Sequence, residues 1–258
     1  MCNGGIPMVC PKCAFEYPDG ARECPRCGVI FSKIRETTDE RIRHARSGKT
    51  EIVMKHNQPG GNLAWLKERL LTVGPEDSGL MVAGRTLVYL VLLVWGACLM
   101  TSSISSNYAG ESFLHLINLP FHEAGHVIFA PFGRFLQTLG GTISQCLIPF
   151  IVLCAFVLKG NPFGGAVGLW WLGENFLDIA PYIGDARAGQ LLLLGGVTGS
   201  EVEDYHDWEV ILTRLGWMRH DQLIAGISFG VGVALMLLSL AWGGYLLWLQ
   251  FRNARNQS

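Results

Sequence analysis

A His-Glu-x-x-His pattern is the feature of this sequence with the clearest chemistry. It reads His122-Glu123-Ala124-Gly125-His126. On a helix, two histidines four residues apart share one face, so both imidazoles can bind one metal ion. Glu123 lies beside them, where its carboxylate could take a proton from a water molecule that the metal polarises. The pattern therefore predicts a zinc site, with His122 and His126 as metal ligands and Glu123 as the catalytic base.

A zinc hydrolase needs a third protein ligand, and three residues are candidates for it. Glu174, Asp178 and Asp185 lie on one face of an apolar helical run, and an acidic stripe is too costly to face lipid. If the apolar runs that carry the histidines and these acids are parallel, their depths match best at Asp178. Asp185, after the kink expected at Pro181, is the second candidate. His206, in a polar stretch further along the chain, is the third.

A second metal motif lies near the N-terminus. Two pairs of the type CxxC, Cys10 with Cys13 and Cys24 with Cys27, are separated by ten residues. Four thiolates in two such pairs suit one tetrahedral ion. A segment of about 20 residues cannot build a hydrophobic core, so metal binding must supply its folding energy. We predict a structural zinc ribbon, with a redox iron as the alternative because iron also accepts four thiolates.

The elements that must position the His-Glu-x-x-His residues are apolar. The 258 residues are 50% hydrophobic and only 16% charged, whereas a soluble domain carries about 25% charge. Five apolar runs, each long enough to be a membrane helix, follow the polar N-terminal region, at 81–100, 113–132, 139–158, 164–184 and 222–250. The predicted fold class is an all-α polytopic membrane protein with about 4–6 membrane segments and a small N-terminal zinc-ribbon domain.

The predicted domains follow this division. They are a zinc ribbon at 1–30, a polar linker with an amphipathic helix at 31–79, a helical membrane domain at 80–250 and a tail at 251–258. Of the 20 Lys and Arg residues, 12 lie in 1–79, and the loop after the first apolar run has none. This asymmetry, with no secretory signal peptide at the start, predicts a cytoplasmic N-terminus. A net charge of −1 without a basic patch gives no reason to expect nucleic-acid binding.

One family shares this arrangement of motifs. A His-Glu-x-x-His helix, then an apolar helix, then a helix with an aspartate resembles the core of the site-2-protease family, which are intramembrane zinc metallopeptidases. The resemblance covers roughly residues 113–187. It implies the same two histidine ligands and glutamate base, a bacterial cell membrane, and a membrane-protein or peptide substrate. The family's third ligand comes from an Asn-Pro…Leu-Asp-Gly stretch, and Asn175, Pro181 and Asp185 occur here in that order but at a different spacing.

Two functions fit these motifs. The first is a zinc-dependent intramembrane peptidase that hydrolyses peptide bonds of membrane-associated substrates. The second is a non-catalytic metal-binding membrane protein that recruits a cytoplasmic partner through its zinc ribbon. The first needs Glu123 and the second does not. The expected cofactors are one structural and one catalytic zinc ion. The expected partners are membrane lipid, the substrate and a cytoplasmic protein.

Overall fold

The structure, a computed structural model, describes residues 8–10, 15–17, 21–30, 62–73 and 79–255. The chain forms two compact units, Met1–Gly61 and Asn62–Ser258. The first holds the described part of the predicted ribbon, and the second is helical. Most of the predicted polar linker, residues 31–61, lies outside the described residues.

The described part of the first unit is built from two short turns around cysteines. Strands β1 (Met8–Val9) and β2 (Glu16–Tyr17) pair antiparallel. The backbone amides of Cys10 and Cys24 each donate to the carbonyl five residues later, at 2.9 Å in both cases. Around the second CxxC pair, where all residues are described, Cys24 thus begins a tight turn.

The described residues of the second unit form seven α-helices. They are α1 (Asn62–Leu71), α2 (Gly79–Thr101), α3 (Phe113–Phe129), α4 (Arg134–Leu158), α5 (Pro162–Asp185), α6 (Asp207–Leu215) and α7 (Asp221–Arg255). Each of the five apolar runs lies in a helix of its own: α2, α3, α4, α5 and α7. Helix α1 corresponds to the predicted amphipathic helix. Helix α6 has no counterpart among the elements predicted from sequence.

Three of the described helices are long and apolar enough to cross a membrane. These are Gly79–Thr101, Arg134–Leu158 and the stretch Met218–Arg255, which contains α7. This agrees with a helical membrane protein, and the count is below the predicted four to six segments. Helix α3 has only 17 residues, and α5 carries three acidic residues within 24. Neither meets the length and composition of a span.

The helices α5 and α7 form the centre of this unit. Leu99, Trp170, Leu177 and Met236, from α2, α5 and α7, are almost fully buried in one apolar cluster. Between membrane helices, close packing of side chains replaces the hydrophobic effect as the source of association, and this cluster packs α5 against α2 and α7. The consequence for function is that α5 can present polar side chains from a fixed position.

Two hydrogen bonds fasten α1 to one end of the bundle. Arg69 donates to the carbonyl of Leu158, at the end of α4, and the Trp242 indole donates to the carbonyl of Leu70, both at 2.8 Å. At the opposite end, α2 and α5 finish and α6 and α7 begin. The His-Glu-x-x-His residues lie near this second end.

Candidate metal centre

The His-Glu-x-x-His motif occupies the last turns of α3. This helix begins after Ser112, whose side chain accepts from the His115 amide, and it continues through Pro120 to Phe129. The imidazole rings of His122 and His126 face each other, with centroids 4.9 Å apart. A carboxylate oxygen of Glu123 and a nitrogen of each ring lie within 4.8 Å of one another. The local prediction for this helix face agrees with the structure.

The Nδ1 atom of each ring lies at hydrogen-bond distance from an acceptor oxygen. His122 Nδ1 lies 3.0 Å from Gln145 Oε1, and His126 Nδ1 lies 2.9 Å from the carbonyl oxygen of Gln137. The Gln145 amide is oriented by its Nε2, which donates to Asp178 at 2.8 Å. Because both partners can only accept, each Nδ1 must carry the proton. In the neutral rings, the Nε2 atoms therefore present lone pairs.

Those two lone pairs meet a carboxylate. Asp207 Oδ2 lies 2.9 Å from His122 Nε2 and 3.3 Å from His126 Nε2. Three acceptors at this separation repel one another unless a proton or a metal cation lies between them. In tetrahedral zinc sites with bonds of about 2.1 Å, neighbouring ligand atoms are roughly 3.4 Å apart. The donor set, two imidazoles and one carboxylate, therefore fits zinc with little movement.

Glycines keep space beside these atoms. A Cβ added to Gly141, on α4, would lie 2.6 Å from His122 Nε2 and 2.7 Å from His126 Nε2. On the preceding residue, a Cβ added to Gly140 would lie 2.8 Å from the carbonyl oxygen of Gly125. The small residues let α4 approach α3 closely and leave open volume next to both Nε2 atoms. A bound ion would occupy such volume.

Asp207 is held in place by its neighbours. It is the first residue of α6, and its backbone amide donates to the Tyr182 hydroxyl at 2.9 Å. The same hydroxyl donates to Asp207 Oδ2 at 3.3 Å. The Tyr182 ring packs on the ring of His206, with centroids 4.2 Å apart. A residue far along the chain is thus fixed against the two histidines.

The three residues predicted as third ligand have other partners. Asp178 accepts from His115, Asn118 and Gln145. Asp185 accepts from the backbone amides of residues 190 and 191, at 2.9 and 2.8 Å. His206 caps α6, with Nδ1 accepting from the Glu209 amide, and its Nε2 lies 3.6 Å from Asp185. No described contact joins any of the three to the two Nε2 atoms, and Asp207 takes that place.

The reason lies in how two helices meet. A match in depth between His126 and Asp178 requires that α3 and α5 run parallel and side by side. The contacts instead join His115 to Asp178, Phe121 to Trp171 and His122 to Tyr182, so the position along α5 neither rises nor falls steadily along α3. The two helices therefore cross, and Asp178 contacts the start of α3, two turns before the metal motif. The acidic stripe does face inward as expected, with Glu174 and Asp178 almost fully buried.

The cysteines form a second candidate metal site. Sulfur atoms of Cys10, Cys24 and Cys27 lie within 4.8 Å of one another. Cys13, the predicted fourth ligand, lies outside the described residues. Burial raises the pKa of the Cys24 thiol, but hydrogen bonds from the backbone of Cys27 and Arg26 outweigh it and lower the pKa to about 6. The thiolate, which is the form that binds metals, is thus favoured at neutral pH.

A cavity opens beside the histidines. Its volume is about 410 Å³, within the range of small-ligand sites. Its lining includes His122, His126, Glu123 and Asp207, and also the leucine segment 191–194. Leu192 and Leu194 are largely exposed. Arg134 and Asp204, also in the lining, form an ion pair at 2.7 Å. The candidate metal centre is therefore accessible to a molecule of peptide size.

Comparisons with protein-family models, with curated proteins and with solved structures found no match to this chain. Function must therefore be inferred from the residues of the candidate metal centre.

Sequence reasoning missed Asp207, Gln145 and Tyr182. A signal for Asp207 was present, because it begins a short amphipathic segment after an acidic stretch, where helix starts commonly lie. Sequence analysis did select this stretch, but it chose His206 as the candidate ligand and passed over Asp207. Gln145 and Tyr182 had no such signal, because nothing in the spacing sets them apart from the other polar residues of α4 and α5.

Proposed function

We propose that this chain is a zinc-dependent peptidase of membrane-associated substrates. His122, His126 and Asp207 are the proposed metal ligands, and Glu123 is the proposed catalytic base. The observation that carries the proposal is the convergence of two imidazole Nε2 atoms and one carboxylate beside an accessible cavity. Zinc, with one position left open for a reactant, is the ion that this donor set suits best.

Zinc would supply a Lewis acid that polarises a carbonyl group and makes water acidic near neutral pH. The residues of the chain supply the rest. Glu123 lines the cavity next to both rings, where its carboxylate can accept a proton from water and later return it to the leaving amine. Gln145 and the carbonyl of Gln137 hold the rings in one tautomer, which keeps both Nε2 atoms aimed at the ion.

The cavity wall favours a peptide over a small polar substrate. The leucine segment 191–194 lines the same cavity as the metal centre and offers apolar contacts to substrate side chains. Its backbone is held at one end by Asp185, and Tyr205 donates to the carbonyl of Leu194 at the other. The resemblance to site-2 proteases supports the same reaction, although the proposed third ligand comes from a later helix than in that family.

We propose zinc for the ribbon as well. Cys10, Cys24 and Cys27 converge in the structure, and Cys13 supplies the fourth thiolate by sequence. A four-thiolate site without an open position has a structural role. Its role as a docking module for a cytoplasmic partner stays a prediction.

The test combines metal analysis with cleavage. The full chain is purified in detergent, loaded with zinc and incubated with a mixed peptide library, and mass spectrometry detects new peptide ends. Glu123→Gln should retain both zinc ions and lose at least about 100-fold in cleavage rate, within the contribution of general-base catalysis. Glu111→Gln, on an exposed residue outside the cavity, is the matched control and should cleave as the wild type.

Three results would separate the alternatives. Cleavage lost in Glu123→Gln alone supports the peptidase. Equal cleavage by both variants would show that the activity comes from a contaminant. Two bound zinc ions without any cleavage, by wild type or variants, would favour the non-catalytic metal-binding function.

A further inference from the structure

We propose that His115 anchors the substrate by donating a hydrogen bond from Nε2 to a carbonyl or carboxylate oxygen of the peptide in the cavity. This inference rests on the proposed function, because it assumes that a peptide binds there. It adds a substrate-binding group that lies outside the metal motif.

His115 lines the same cavity as the metal ligands. Its side chain is 36% exposed, whereas the side chain of its partner Asp178 is 1% exposed. His115 Nδ1 and Asp178 Oδ1 are 2.8 Å apart. Because Nδ1 points to the carboxylate, the exposed part of the ring is the part that contains Nε2. No described residue forms a hydrogen bond with that Nε2 atom.

The Asp178 carboxylate is firmly fixed. Its Oδ2 accepts from Asn118 Nδ2 at 3.0 Å and from Gln145 Nε2 at 2.8 Å. Asn118 and Gln145 are themselves buried. With three donors on two oxygens, the carboxylate cannot turn, so the ring that it holds is oriented as well. An oriented polar group at a cavity wall is what substrate recognition needs, since it costs no reorganisation on binding.

The contact with Asp178 favours an imidazolium. A carboxylate that is almost fully buried is stabilised by a counter-charge in direct contact with it. Asn118 and Gln145 are neutral amides, so among the described side chains that contact Asp178 only His115 can be cationic. A protonated His115 presents Nε2–H as a donor, and therefore seeks an acceptor oxygen.

The spacing along α3 sets where the anchored oxygen lies. His115 precedes His122 by seven residues, or about 10 Å along the helix axis. An extended peptide advances about 3.3 Å per residue. The anchored oxygen is therefore about three residues from the scissile bond. This is within reach of a short peptide in a cavity of about 410 Å³.

Hydroxamate probes test this without a known substrate. Acetohydroxamate chelates zinc and is too short to reach His115. Trileucine hydroxamates, extended on either side of the chelating group and ending in a carboxylate or an amide, are long enough. Binding to the full-length, zinc-loaded protein in detergent is measured by calorimetry. In the wild type, at least one extended probe should bind about tenfold or more tighter than acetohydroxamate, as expected for a hydrogen bond to a charged group.

Two substitutions separate anchoring from a structural role. In His115→Asn, the amide nitrogen can replace Nδ1 and still donate to Asp178, but Nε2 is lost. In His115→Gln, the longer amide places a donor near the position of Nε2. We expect His115→Asn to bind the extended probe about tenfold more weakly, and His115→Gln to recover part of this loss. His220→Asn, on an exposed histidine outside the cavity, is the control.

Each result has one meaning. Loss of extended-probe affinity in His115→Asn, with unchanged acetohydroxamate affinity, supports the anchor, and the carboxylate and amide probes show which oxygen it binds. Unchanged affinity for every extended probe would overturn it. Loss of both kinds of probe would show a damaged metal site and also overturn it. If acetohydroxamate does not bind the wild type, the proposed function fails, and the anchor fails with it.

Discussion

The assignment of Asp207 as third metal ligand predicts two losses of different size for Asp207→Asn. Without metal, an imidazole that takes up a proton donates it to the Asp207 carboxylate, which lies 2.9 and 3.3 Å from the two Nε2 atoms. The neutral amide replaces this charge-assisted hydrogen bond by an ordinary one, and a charged metal ligand is lost as well. The metal-free protein should lose a little stability, and the zinc-bound state should lose more.

The sizes of both effects follow from the structure. A hydrogen bond to a charged group is worth about 1 kcal/mol more than a neutral one, which for a unit of this size corresponds to a fall of about 3 °C in the Tm of the metal-free protein. Loss of a ligand should cost more zinc affinity than the 10- to 100-fold typical of residues around the ligands. We therefore expect the Kd for zinc to rise by about 100-fold or more.

Zinc competition with a fluorescent chelator measures this Kd, in protein whose four ribbon cysteines are replaced by serine so that only the membrane site responds. Thermal melting in excess chelator gives the Tm. Asp204→Asn is the matched control, because Asp204 is three residues away and pairs with Arg134. Asp178→Asn tests the earlier prediction, and it should weaken zinc binding by only about tenfold, through Gln145.

Two outcomes would refute the reasoning. Wild-type zinc affinity in Asp207→Asn would remove this residue from the site. A larger loss in Asp178→Asn than in Asp207→Asn would return the third ligand to α5, where sequence reasoning first placed it.

Further predictions concern the residues around the site. Gly141→Ala places a Cβ 2.6 Å from His122 Nε2, so zinc content per protein should fall, at an overpacking cost of about 1–3 kcal/mol; elemental analysis and thermal melting measure both. Gln145→Leu leaves the His122 Nδ1 proton without an acceptor, so the zinc Kd should rise about 10- to 100-fold, and an unchanged Kd would contradict the tautomer argument. Tyr182→Phe removes both hydrogen bonds to Asp207, so zinc should dissociate about tenfold faster in a chelator chase, with the helical content by circular dichroism unchanged.

Much of the local structure of this protein follows from the spacing of residues in the sequence. The positions of His122 and His126 on one helix face follow from a separation of four residues, which any α-helix enforces. The turns at Cys10 and Cys24 follow equally from the CxxC spacing. The apolar runs became helices because each is long and has no alternative way to satisfy its backbone in an apolar environment. All of these are interactions between residues close together in the chain.

The position of the proposed third ligand depended on long-range packing. Asp207 is 81 residues beyond His126, and its approach needs the course of the segment after α5 and the start of α6. The candidates Asp178 and Asp185 were reasonable for their chemistry, but α3 crosses α5 in such a way that Asp178 contacts His115. A sequence fixes residue types and local periodicity. Helix direction depends on which surfaces pack, as at Gly125 and Gly140, and only the folded chain decides that.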